Sequence, residues 1–171
     1  MVTSNYMREL VDVVDNNDHV ISVVERLEAH QRRLVHRIVA VLAFDQVGRL
    51  IIQVRKTNGL YDHSVGGHVD SAETYSEAAT REAQEELGLY CALTYVDTID
   101  VVERSGVPHR IGLFTCRTDP GWVFVANDEV DRIIPVSVEA ASLLIAQEPY
   151  LFTSGFIASF SRWKVSNESG R

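Results

Sequence analysis

The sequence predicts an α+β fold in which a mixed β-sheet is sandwiched between α-helices, and three observations predict it. Short runs rich in Val and Ile recur along the chain and are separated by turn residues. The stretch Ser71 to Leu87, which has neither Gly nor Pro, interrupts them with helical spacing. Two further helical stretches close the chain after the last strand-like run. Strands on both sides of a helix, followed by helices, give the order β-β-β-β-α-β-β-β-α-α, which layered packing resolves as a sheet covered on its faces.

Taken in order, the apolar runs Leu10 to Val14 and Val20 to Val24 flank Asp15-Asn16-Asn17-Asp18. Those side chains favour turns, so residues of about 9 to 24 read as an N-terminal hairpin. Leu27 to Arg33 reads as a polar connector. Arg37 to Phe44 and Leu50 to Arg55 are joined by Asp45-Gln46-Val47-Gly48 and form a second hairpin within the core sheet. Lys56 to Asp70, with Asn58-Gly59 and Gly66-Gly67, reads as a loop. In the helix that follows, Ala78, Ala79, Ala83 and Leu87 mark an apolar face and Gly88 a C-cap. Strands are then expected at Ala92 to Val102, Ile111 to Cys116 and Trp122 to Val125, after which Ile133-Ile134-Pro135-Val136 leads into Ser137. Ser137 precedes a short helix, Glu139 to Gln147, and Gly155 to Lys164 forms the last. No repeat or linker divides the 171 residues, so residues 1–171 read as a single domain carrying the hairpin as an extension.

Composition narrows the function classes. A chain of 46% hydrophobic and 23% charged residues is globular rather than disordered or fibrous. No apolar run approaches the roughly 20 residues of a membrane span, and no basic region followed by an apolar stretch opens the chain, so neither a membrane nor export is expected. Cys91 and Cys116 lack CxxC spacing and read as reduced core thiols of a cytoplasmic protein. A net charge of −8 without a basic cluster argues against a nucleic-acid duplex as partner.

The chemistry is concentrated on the long helix. Glu82, Glu85 and Glu86 are spaced i, i+3 and i+4, which puts three carboxylates on one face. Alone, that pattern is a solvated acidic face. Hard divalent cations are the other reading, because Mg²⁺ takes oxygen ligands from carboxylates, substrate phosphates and water. Gly66-Gly67 just upstream favours the second reading, since bare backbone can approach an ion or phosphate closely.

Gly67, Glu73 and the run Arg81-Glu82-Ala83-Gln84-Glu85-Glu86-Leu87-Gly88-Leu89 stand at the spacing G-x5-E-x7-R-E-U-x-E-E-x-G-U and resemble the Nudix box. All seven fixed positions match, and only Ala83 departs from the usual larger aliphatic residue, which suggests looser packing beneath the helix. The resemblance implies a Nudix fold and Mg²⁺-dependent hydrolysis, with Mn²⁺ as the alternative ion, of a pyrophosphate bond in a nucleoside diphosphate-linked or related small molecule. By position, Glu82, Glu85, Glu86 and the Gly66 carbonyl would hold metal, while Arg81 and Glu73 orient the carboxylates and Gly67 supports them. For the general base, Glu85 or Glu86 comes first and Asp128 or Glu129 second.

The hairpin and Leu34-Val35-His36-Arg37 further resemble the branch that contains isopentenyl-diphosphate isomerases. Those isomerases use a Cys in Ser-x-Cys-x-His and a later Glu-x-Glu. Here the stretch reads Ser64-Val65-Gly66-Gly67-His68, and no Glu-x-Glu follows it, so isomerisation is disfavoured. His36 and His68 match metal-binding positions of that branch, although each also suits a structural role. A Nudix-fold binding module without turnover is the third reading. Tyr61, Trp122 and Phe124 could stack on a base or simply fill the core. Arg55, Lys56 and Arg110 could meet phosphates, and strand edges or the hairpin offer a surface for a homodimer.

Overall fold

The computed structural model describes residues 9–128 and 130–168, so Glu129 lies outside the described residues. Strands β1 (Leu10–Val14) and β2 (Val20–Glu25) form an antiparallel hairpin that leads into helix α1 (Arg26–Arg32). The central strand β3 (His36–Phe44) follows, then β4 (Leu50–Arg55), β5 (Tyr61–Asp62) and β6 (Val65–His68). Helix α2 (Tyr75–Leu87) precedes β7 (Thr94–Val102), β8 (Pro108–Arg117) and β9 (Val130–Val136). Helices α3 (Val138–Gln147) and α4 (Ser154–Glu168) end the described chain.

Strand β3 organises the sheet. It pairs in parallel with β8 from His36↔His109 to Phe44↔Arg117, and antiparallel with β6 from Ile38↔His68 to Val41↔Val65. The sheet is therefore mixed. Alternation along β3 sends Val39, Val41 and Ala43 into a layer with Ala78, Ala79, Ala83 and Leu87 of α2. Ala40 and Leu42 point the other way, against Ala141 of α3 and Phe156 and Phe160 of α4. Helices thus cover both faces, giving the expected α/β/α sandwich. None of the described helices is long and apolar enough to cross a membrane.

Three local expectations are corrected. Residues 26–32 form helix α1 rather than a connector; its polar sequence buries only Ala29, so no apolar stripe announces it. Residues 56–70 are not all loop, because β5 and β6 pair with β4 and β3 and so take up their backbone hydrogen bonds there. Trp122 to Val125 is not a strand. The segment instead lies across the end of α2, where the Trp122 indole N–H donates to the Leu87 carbonyl at 3.0 Å.

Candidate active site and imidazole cluster

The start of α2 is fixed by a capping box. Thr74 Oγ1 accepts from the Glu77 amide, and the Glu77 carboxylate accepts from the Thr74 amide. Gly88, at φ +60, closes the helix in the left-handed conformation that glycine adopts without strain. Between these stops the box residues share one side of the helix, and Arg81 ties them together. Its guanidinium grips Glu73 through two hydrogen bonds, Nε to Oε1 at 3.0 Å and a terminal nitrogen to Oε2 at 2.9 Å. It also donates to Glu82 at 2.7 Å, to Glu85 at 3.2 Å and to the His68 carbonyl at 3.0 Å. A planar fork with five N–H donors can do this; an ammonium cannot. Burial pushes the Glu73 carboxyl up, but the hydrogen bonds from Arg81 outweigh it and hold the group below its ordinary range.

The carboxylates meet β6 at its two glycines. A Cβ on Gly67 would fall within the space taken by the Glu82 carboxylate, so the absent side chain is what lets that carboxylate rest on the strand. Glu86, also buried, accepts from the Gly66 amide at 3.0 Å and from the Gln53 side chain at 3.2 Å. Glu85 stays more open, with 55% of its side chain exposed. The donor set is all oxygen, and Gly67 leaves a cradle beside it, so these residues fit a hard divalent cation.

The opposite face of β6 carries different chemistry. Gly67 points toward α2, so His68 points away from it and meets three more imidazoles. His36 joins because His68 pairs with Ile38, two residues along β3 on the same face, and His109 is the register partner of His36 on β8. His30 reaches in from α1, whose end turns sharply at Arg33 (φ 53) to deliver the chain into β3. One ring nitrogen from each of the four lies within 4.8 Å of the others. His30 Nε2 and His68 Nε2 are 2.9 Å apart. His36 Nδ1 donates to the Leu34 carbonyl at 2.8 Å, leaving Nε2 with a bare lone pair.

Burial keeps all four rings neutral. It pushes His68 down to about 2 and His109 down to about 3, with neighbouring imidazoles adding to the effect. His30 and His36 are lowered for the same first reason. Yet His36 Nε2 and both ring nitrogens of His109 are buried without a hydrogen-bond partner among the described residues. Each such atom costs about 1–3 kcal/mol unless something satisfies it.

A cavity of about 710 Å³ is lined by Glu82, Glu85 and Arg81 on one side and by His30, His68 and His109 on the other. Its far wall carries Asp62 and His63. There His63 Nδ1 lies 2.8 Å from Asp62, while His63 Nε2 is 2.9 Å from the buried Ser159 hydroxyl of α4. This places α4 against the cavity floor.

Residues 34–152 match the family model described as the NUDIX domain. The chain belongs to the NUDIX family. An isopentenyl-diphosphate Delta-isomerase of Burkholderia multivorans is 31% identical over 170 residues, spanning 91% of this chain and 93% of that one. An uncharacterized Nudix hydrolase of Streptomyces coelicolor is 45% identical over 85 residues, 47% of each chain. Among solved structures, a Deinococcus radiodurans protein superimposes with a TM-score of 0.69 at 26% identity, covering 82% of this chain and 90% of its own.

Within this Nudix domain the box residues Gly67, Glu73, Arg81, Glu82, Glu85 and Glu86 converge as described, with Gly66 beside them. His36 and His68 come together with one another, on the reverse of β6. Asp128 is exposed on the loop before β9 and stands outside the cavity wall. Of the expected phosphate ligands only Arg55 lines the cavity. Lys56 donates to the Asn127 carbonyl, and Arg110 is buried between Asp100 and the β1–β2 turn, which it braces through the Asp15 and Asn16 carbonyls. Tyr61 packs edge-on to Phe152, and Trp122 and Phe124 pack on the α2 layer. Sequence reasoning missed Arg26 and Arg104 on the cavity wall and the parts that His30 and His109 play. No spacing rule joins residues from α1 and β8; only the strand register could have found them.

Proposed function

We propose that this Nudix protein is a Mg²⁺-dependent hydrolase that cleaves a pyrophosphate bond in a nucleoside diphosphate-linked or related small molecule. The observation that supports this most is the carboxylate set of α2, clasped by Arg81 and seated on the side-chain-free backbone of β6. Glu82, Glu85 and Glu86, with the Gly66 carbonyl beside them, would hold the ion. When bound, it supplies charge neutralisation for the diphosphate and a lower pKa for the attacking water. The chain's own residues do the rest. Arg81 and Glu73 keep the carboxylates in one orientation, so no reorganisation is needed as charge develops. Arg55, Arg26 and Arg104 line the cavity as partners for phosphate oxygens. Glu85, exposed to the cavity, is the carboxylate best placed to accept the proton of the water.

A second reading, isopentenyl-diphosphate isomerisation, is favoured by the near full-length likeness to the Burkholderia multivorans isomerase. Gly66 weighs against it, because it leaves no thiol at the cavity. Cys116 is buried in the layer under α2, where burial pushes its thiol up.

The test is a Mg²⁺-dependent release screen over nucleoside diphosphates, nucleotide sugars, dinucleotides, coenzyme A and isopentenyl diphosphate, run beside Glu86→Gln. Product release from one class, lost in the variant, is the expected result. Isomerisation of isopentenyl diphosphate, or binding without turnover across the panel, would replace it with the isomerase or binding-module reading.

A further inference from the structure

We infer that Cys91 and Cys116 are an oxidant-sensitive pair, in which a peroxide oxidises Cys91 and Cys116 resolves it as an intramolecular disulfide that ties the segment leaving α2 to β8. Neither residue lines the carboxylate cavity. The inference does not depend on hydrolase activity.

Placement carries it. Gly88 turns the chain out of α2, and Cys91 follows before β7 begins at Thr94. Thr94 pairs with Thr115 on β8, so the residues just ahead of β7 run alongside Cys116. Cys91 packs on the same apolar layer that holds Cys116, together with Leu87 and Leu89 from the end of α2. The fold thus brings the chain's two cysteines together, both as free thiols, and they hydrogen-bond to one another. With no third cysteine in the sequence, the pairing has no competitor within the chain.

Exposure divides the roles. Cys91 is partly exposed, whereas Cys116 is 7% exposed. A second cavity of about 580 Å³, lined by Ala92, Thr94, Thr115 and Cys116 among others, opens beside the pair and has room for a molecule as small as hydrogen peroxide. Burial pushes the Cys116 thiol up, and its hydrogen bond with Cys91 adds to the effect, so Cys116 keeps its proton and does not attack peroxide first. The Cys91 sulfur attacks one peroxide oxygen, the O–O bond breaks and one water leaves, which makes Cys91 a sulfenic acid. Cys116 then attacks the Cys91 sulfur. The S–S bond forms, the S–O bond breaks, and the Cys116 proton leaves with the hydroxyl as a second water. Two thiols are oxidised by two electrons while one peroxide is reduced to two waters. An apolar pair would fill this part of the layer equally well, but would not set a partly exposed sulfur against a buried one.

The test uses the purified full chain, freed of reductant and treated with hydrogen peroxide. Thiols are counted, intact mass is read, cross-linked peptides are mapped by mass spectrometry without reduction, and dimedone traps any sulfenic acid. The wild type is expected to lose both thiols and about 2 Da, to yield one Cys91–Cys116 cross-linked peptide, and to regain both thiols with dithiothreitol. Cys116→Ala is expected to hold a dimedone adduct on Cys91 instead, and Cys91→Ala to leave Cys116 unreacted at the same peroxide concentration. The oxidised wild type is expected to melt at least about 3 °C above the reduced form, because the bond restricts the unfolded chain. Cys91 is partly exposed, so its variant remains informative if Cys116→Ala fails to fold. Thiols that survive millimolar peroxide in the folded protein and react only in urea would overturn the inference. So would cross-links between chains, or a sulfinic acid on Cys91 of the wild type in place of the disulfide. Turnover does not enter these readouts, so a failed hydrolase screen and a failed oxidation remain separate outcomes.

Discussion

The carboxylate of Glu82 lies where a side chain on Gly67 would have to go. The two adjacent glycines of β6 are therefore unequal. A Cβ on Gly66 meets only the Val39 carbonyl at 3.6 Å and His63 Nδ1 at 3.8 Å, both ordinary contacts. Gly67→Ala is expected to displace Glu82 and lower kcat/KM by about 100-fold, the usual scale of an ångström-sized misplacement. Gly66→Ala is expected to cost less than about tenfold. Steady-state kinetics on both, with circular dichroism to confirm folding, would refute the assignment if the two behaved alike.

Arg81 holds Glu73, Glu82 and Glu85 at once. Arg81→Lys keeps the charge but loses the fork, and is expected to reduce kcat by about 10- to 100-fold with little change in KM. Glu73→Gln should act through the same guanidinium. The double variant is then expected to be little worse than either single one, and additive losses would show that the two residues act independently.

Stability should fall with acid in the metal-free protein. Folded His68 and His109 are depressed to about 2 and about 3, whereas the unfolded chain protonates its histidines near 6.5. Below that value the unfolded state binds more protons, so their stabilising contribution is complete above pH 6.5 and drains away as pH drops toward the folded values. Each ring is expected to cost roughly 1–2 kcal/mol by pH 5. Urea melts of chelated protein from pH 7.5 to 5 measure the slope, and His109→Gln should flatten it. An unchanged slope would mean that His109 is not held neutral by its surroundings.

Ser159 is 0% exposed and accounts for one nitrogen of the buried His63. Ser159→Ala leaves that nitrogen unpaired and should destabilise the protein by about 1–3 kcal/mol, read as a lower Tm and urea midpoint. A change below about 0.5 kcal/mol would show that His63 finds another partner.

What could be read from the chain was what is local in it. The box residues lie within two turns of one helix and its approach, so their spacing alone puts the carboxylates side by side, and the capping box and Gly88 bound that helix within a few residues. The hairpins showed through their apolar runs and the turn residues between them. Helix α1 was illegible because only Ala29 of its seven residues is buried, and β6 because two of its four residues are glycine. Trp122 to Val125 has the composition of a strand, but the fold uses its indole on the end of α2 instead. The imidazole cluster is the extreme case. It exists only because β3 and β8 align in parallel, a pairing that neither strand's sequence announces.

That parallel pairing also sets an order of assembly. The carboxylate face can take shape as soon as α2 winds, because its parts are a turn apart. His36 and His109 are separated by some seventy residues and become neighbours only when β8 closes the sheet, a slow, high-entropy step. The contacts between these imidazoles therefore belong to the last long-range closure rather than the first local one. A substitution at His109 should accordingly speed unfolding far more than it slows refolding.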